Sequence, residues 1–194
     1  MDETDAKKTL HRYLQSAREA VLWKASGLDE YDARRPLTPT GTNLLGLVKH
    51  LAMVEAAYFG SVFERPFPER LPWWDDNAGD NADMWVTEAE TRDDVVGLYR
   101  RVWEHADATI DALDLDAPGK VPWFSPPDVT LHWMLVHVIA ETSRHAGQAD
   151  IVREQVDGAV GLNSANGNLP DQDAAGWQAH VSQVEAAARA ASGR

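Results

Sequence analysis

The sequence predicts an all-α protein: a four-helix bundle, up-down-down-up, with an extra C-terminal helix. Three observations carry this. Four long stretches repeat their apolar residues at the 3.6-residue period of an amphipathic helix. No alternating apolar–polar run of convincing strand length interrupts them. One connection, residues 64–91, far exceeds the ~2–8 residues that join antiparallel bundle neighbours, so the third helix is free to run parallel to the second.

The first helix is expected over about residues 5–25. Leu10, Tyr13, Leu14, Ala17, Ala20 and Val21 form its apolar face, and Gly27 offers a stop. The segment RRPLTPTG then forces a loop. A second helix follows over about residues 43–63, with Thr42 as its N-cap and Leu44, Leu47, Val48, Leu51, Val54 and Tyr58 along its buried stripe.

Prolines at 66, 68 and 72 forbid helix in ERPFPERLPWWDDNAGDNADMW, residues 64–85. The third helix starts after Thr91 and runs to about Leu113, on a stripe of Val95, Leu98, Tyr99, Val102, Ala106, Ile110 and Leu113. The linker APGKVPWFSPPD separates it from a fourth helix, residues 130–156, which Gly158 ends. Leu131, Met134, Leu135, Val138, Thr142, Ala149 and Val152 trace that helix's inner stripe. A Gly- and Asn-rich loop leads to a final Ala-rich helix, about residues 173–191, which packs on the bundle or helps to form a homodimer. The chain thus divides into a bundle, 1–158, and a loop with a helix packed on it, 159–194.

Composition narrows the function. A chain of 194 residues that is 44% hydrophobic suits one domain with its own core. Its 31 acidic against 18 basic residues leave a net charge of −13. Nucleic acid and anionic membrane are poor partners for such a surface, because both are bound by clustered Lys and Arg. No targeting segment and no apolar run of membrane-spanning length is visible, so a cytoplasmic location is expected. There is no cysteine. Thiolate metal sites, disulfides and a cysteine nucleophile are excluded, and any thiol chemistry must use a thiol from outside.

The fourth helix contains HVIAETSRHAGQADIVRE, residues 137–154. Glu141 and His145 are four apart, so they stack on one face and can grip one ion. Both sit on or beside the apolar stripe, where an unpaired charge would be costly. His50, beside Leu47, Leu51 and Val54 on the second helix, supplies a third ligand. His50, Glu141 and His145 would leave a fourth position open, as catalytic zinc sites do. The same donors suit nickel or iron.

Other residues admit two readings. His137, one turn before Glu141, either helps at the site, even as third ligand in place of His50, or is a helix-edge histidine. Arg153 either meets a substrate carboxylate or pairs with Glu154, Asp150 or Asp157. Trp73, Trp74 and Trp85, with Phe67 and Met84, either wall a cleft or plug one end of the bundle. The loop acids Asp75, Asp76, Asp80 and Asp83 fail the calcium-loop pattern, since the positions for Gly and Glu hold Asp80 and Val86. Trp103, Trp133 and Trp177 are expected to pack. Glu55, five residues after His50, points away from the site.

The segments NLLGLVKHLAMVEAAYF, residues 43–59, and HVIAETSRHAGQADIVRE resemble the two signature helices of the DinB-like (YfiT-like) metalloenzyme superfamily. The loop RPFPERLPWWDDNAGDNADMW resembles that of one branch, and the resemblance spans about residue 5 to Gly158. Many members use three histidines, two of them spaced HxxxH before Gly-Gln. Here Glu141 replaces the first of that pair, ahead of His145-Ala-Gly-Gln148. A His, Glu, His set resembles the mycothiol-dependent maleylpyruvate isomerase branch. The resemblance implies an up-down-down-up bundle with a divalent metal, zinc above nickel or iron, on His50, Glu141 and His145. It further implies a thiol S-transferase joining mycothiol or a similar thiol to a small electrophile through a metal-bound thiolate. An isomerase using the same thiol is the near alternative, and a non-catalytic bundle binding a metal or small ligand the distant one.

Overall fold

A computed structural model describes residues 3–75 and 77–193; Asp76 lies outside the described residues. Among the described residues, six α-helices dominate: α1 (Glu3–Ala25), α2 (Glu30–Arg34), α3 (Leu44–Tyr58), α4 (Arg92–Ala112), α5 (Leu131–Asp157) and α6 (Ala174–Ser192). Two short strands, β1 (Pro118–Lys120) and β2 (Asp128–Thr130), form an antiparallel hairpin in which Pro118 faces Thr130.

Helix ends follow local chemistry. Thr91 caps α4 in a reciprocal capping box with Asp94. Thr130 caps α5 through Trp133 N, and Gly158 ends it in the left-handed conformation at φ 79°. The cap of α3 is Asn43, not Thr42: its side chain accepts from Gly46 N at 2.7 Å. α3 also stops five residues short of expectation. At Gly60 the chain turns so tightly that a Cβ would stand 2.2 Å from the Ala56 carbonyl oxygen, and a 3-10 turn, Ser61–Phe63, follows.

Helix directions follow from who shares which end of the core. Near one end, Val21 and Ala25 of α1 meet Leu44 and Val48 of α3, Val95 of α4, and Ala149 and Val152 of α5. Toward the other, Leu14 of α1 meets Phe59 just after α3, Ile110 of α4, and Leu131 and Leu135 of α5. Hence α1 and α5 run together and α3 and α4 run opposite to them: up-down-down-up. The long connection therefore returns the chain from the end of α3 to its start.

α3 is the central helix; Leu45, Leu51, Ala52 and Ala56 are wholly buried. Packed on all sides, it reads as nearly continuous apolar sequence. One polar knot crosses this core. Arg18 of α1 donates to both Glu55 oxygens and, at 2.7 Å, to Asp107 of α4; Tyr99 Oη donates to Glu55 at 3.0 Å. Burial alone would lower the Arg18 pKa, but Glu55 and Asp107 raise it, so the guanidinium stays charged.

One expectation needs correction here, and one choice between two readings is made. Tyr13 is not in the core but 60% exposed. Arg153 is buried at the end of α5, where its guanidinium donates to both Asp157 oxygens and to the carbonyls of Lys24 and Ser26. It pairs with Asp157 and ties α5 to α1. α6 has no buried residue; Trp177, His180 and Val181 face Gly147 and Ile151 of α5 across a groove. No helix among the described residues is long and apolar enough to cross a membrane.

Candidate metal centre and cleft

α3 and α5 cross antiparallel, which sets His50, midway along α3, against the third and fourth turns of α5. Glu141 and His145 project there from adjacent turns. Among the described residues, His50, Glu141 and His145 form one cluster whose ligand atoms lie within 4.8 Å of one another. His145 Nε2 lies 2.9 Å from Glu141 Oε1, and His50 Nε2 lies 3.7 Å from the same oxygen. The imidazole rings meet edge to face, with centroids 4.8 Å apart.

Each histidine is held by its other nitrogen. His50 Nδ1 donates to Asp83 Oδ2 at 2.6 Å, and His145 Nδ1 donates to Gln148 Oε1 at 2.7 Å. Asp83 comes from the long loop, and Gly46 lets it arrive. A Cβ on residue 46 would stand 1.9 Å from the Met84 carbonyl oxygen, which instead accepts from Asn43 Nδ2 at 3.0 Å. The helix cap and the missing side chain together seat the loop against the first turn of α3.

With Nδ1 held by its support, each imidazole turns Nε2 toward the Glu141 carboxylate. Burial, then the charges of His50 and Arg144, lowers the His145 pKa and keeps that ring neutral. The Glu141 carboxyl falls to about 2, mainly through the hydrogen bond from Arg144 and with help from His145, although burial opposes it. Three ligand-type atoms thus converge, two imidazole nitrogens and a carboxylate oxygen. Arg144 supplies the cation: Nη2 lies 2.8 Å from Glu141 Oε1 and 2.7 Å from His145 Nε2. Its side chain is half exposed. Donor types, convergence and the two supported histidines all fit a divalent metal.

The cluster lies beside a cleft of about 490 Å³, lined by His50, Met53, Val54, Ala57, Tyr58, Trp74, Trp123, His137 and Glu141. His145, 3% exposed, closes the site from behind. Volumes of this size suit small ligands.

A family model described as mycothiol-S-transferase matches residues 9–158, which include all three ligand candidates. The chain belongs to the mycothiol-S-transferase family. That membership accords with the DinB-like resemblance of α3 and α5. No curated protein matches the chain. Its fold is shared with a solved conserved protein from Enterococcus faecalis at 18% identity, with a TM-score of 0.53, over 81% of this chain and 99% of that one.

The remaining candidates separate. His137 lies outside the ligand cluster but lines the cleft, stacked on Trp133 at 5.0 Å and edge-on to Tyr58 at 5.1 Å. Of the three loop tryptophans, Trp74 alone is among the cleft residues. Trp73 packs on the core beneath the Lys49 ammonium, and Trp85 is exposed while its carbonyl accepts from Lys49 Nζ. Trp133, expected to pack, is 45% exposed. Sequence reasoning did not single out Trp123, which the β1–β2 hairpin carries to the cleft, nor the supports Asp83 and Gln148. Gln148 stands three residues after His145, a spacing that puts it within reach on the same helix face.

Proposed function

We propose that this protein is a metal-dependent enzyme that transfers a low-molecular-weight thiol of the mycothiol type to a small electrophile. The observation that carries the proposal is the convergence of His50 Nε2, His145 Nε2 and Glu141 Oε1 beside an apolar cleft, in a chain without cysteine. Family membership supports the choice of thiol.

His50, Glu141 and His145 would hold the ion, and two nitrogens with one oxygen favour zinc, though nickel and iron accept the same donors. A divalent ion bound there would lower the pKa of a thiol offered to it, so that sulfur reacts as thiolate near neutral pH.

The chain's own residues do the rest. Asp83 and Gln148 fix the two imidazole planes and tautomers. Tyr58, Trp74 and Trp123 exclude water and hold the second substrate near the sulfur. His137, in the same wall, takes the thiol proton on a ring nitrogen. The sulfur's freed electron pair then forms the bond to carbon. A leaving group departs with its own pair, or, in an addition, the neighbouring carbon recovers the proton.

The test is direct. Zinc-loaded protein, mycothiol and a fluorogenic electrophile should react well above the rate without protein. A His145→Ala variant should fall to that background. No rate above background, or full activity in His145→Ala, would overturn the proposal.

A further inference from the structure

We infer that the second substrate is a flat, uncharged, apolar electrophile, and that Trp74 and Trp123 select it. This deepens the proposed transferase reading and rests on it for the word electrophile; the binding preference stands on the cleft alone.

The lining carries the inference. Tyr58, Trp74, Trp123 and His137 give the cleft aromatic walls, and Met53, Val54 and Ala57 give it aliphatic ones. Tyr58 and Trp123 stand 6.0 Å apart, and Trp123 is 59% exposed, so it has free face to offer a ligand. Trp74, 42% exposed, comes from the long loop. A planar ligand between such faces gains both apolar burial and favourable ring packing.

Charge points the same way. Among the described residues, no Lys or Arg lines the cleft. The full negative charge in the lining is Glu141, and Asp83 stands directly behind His50. Arg144, at the edge, already has its guanidinium on Glu141 and His145. With the proposed thiolate on the ion, the ion's charge is already met by Glu141 and the sulfur, so a carboxylate would find no open cation, against a chain of net charge −13. A dicarboxylate, which the isomerase alternative would need, fits worst. Size adds a limit, because the cleft must also admit the sulfur end of the thiol.

Two unreactive probes of one skeleton test this: dinitrobenzene and dinitrobenzoate, titrated by calorimetry into zinc-loaded protein saturated with mycothiol, so that the open position on the ion is filled. Dinitrobenzene should bind at least about tenfold more tightly. Trp74→Ala and Trp123→Ala should each weaken it by about three- to tenfold, without changing zinc content or melting temperature. Equal or tighter binding of dinitrobenzoate, or unchanged binding in both variants, overturns the inference. The reactive pair, chlorodinitrobenzene and chlorodinitrobenzoate, then separates it from the transferase reading. Thiolate displaces chloride from the ring carbon, and the proton goes to solvent. Selective binding without any transfer sinks the transferase and leaves the cleft assignment. Equal transfer to both compounds, with equal affinity for the two probes, leaves the transferase and sinks the cleft assignment.

Discussion

His50 and Asp83, 33 positions apart, are joined by a 2.6 Å hydrogen bond from imidazole Nδ1 to carboxylate Oδ2. That bond fixes the ring so that Nε2 faces Glu141, and it raises the basicity of the ligand nitrogen. Replacing Asp83 by Ala should weaken zinc affinity by about 10- to 100-fold. Titration against a competing chelator measures this. Affinity equal to the parent's would show that His50 needs no such support.

Gly46 should matter for the same reason. A methyl group there collides with the Met84 carbonyl at 1.9 Å, so Gly46→Ala must push the loop off α3 and carry Asp83 with it. The expected result is a loss of about 1–3 kcal/mol from overpacking, together with a drop in zinc affinity like that of Asp83→Ala. Loss of stability with unaltered zinc affinity would contradict this coupling.

Arg144 behaves in the opposite sense. Its guanidinium takes the place of a cation among the three ligand-type atoms, and a metal ion must compete with it. The pair is half exposed and screened, so it is worth only about 0–1 kcal/mol. Arg144→Ala should therefore bind zinc as tightly as the parent or up to about fivefold more tightly. A marked loss of affinity in that variant would assign Arg144 a supporting role instead.

Much of this was legible in the sequence. Period-3.6 stripes marked α1, α4 and α5, and the length of residues 64–91 allowed α4 to run parallel to α3, because a short link would have forced them antiparallel. Glu141 and His145 could be paired from an i,i+4 spacing on an apolar stripe. Asp83 and Trp123 could not, since they sit in irregular segments where no period says which way a side chain points. The cap of α3 was misplaced by one residue because Thr42 and Asn43 are both good caps. Arg153 offered two readings from sequence. The deciding facts, the carbonyls of Lys24 and Ser26, come from the end of another helix.

The buried knot away from the cleft gives a pH prediction. Burial alone would raise the Asp107 carboxyl, but the hydrogen bond from His11 and the Arg18 guanidinium hold it below its ordinary 3.8. A carboxyl depressed in the folded state stabilises it fully above the unfolded value, and that contribution is lost as pH falls through the folded value. Asp107→Asn should thus cost about 1–3 kcal/mol at neutral pH. Urea unfolding should show the difference from the parent shrinking below about pH 4. A gap that is constant with pH would mean the carboxylate charge is not what stabilises.

The central claim is that His50, Glu141 and His145 together bind one divalent metal. Zinc titration of metal-free protein, with the melting temperature followed alongside, tests it most directly. The account predicts one equivalent bound and a raised melting temperature, both abolished in His145→Ala. No stoichiometric binding, or binding and stabilisation undiminished in that variant, would contradict it.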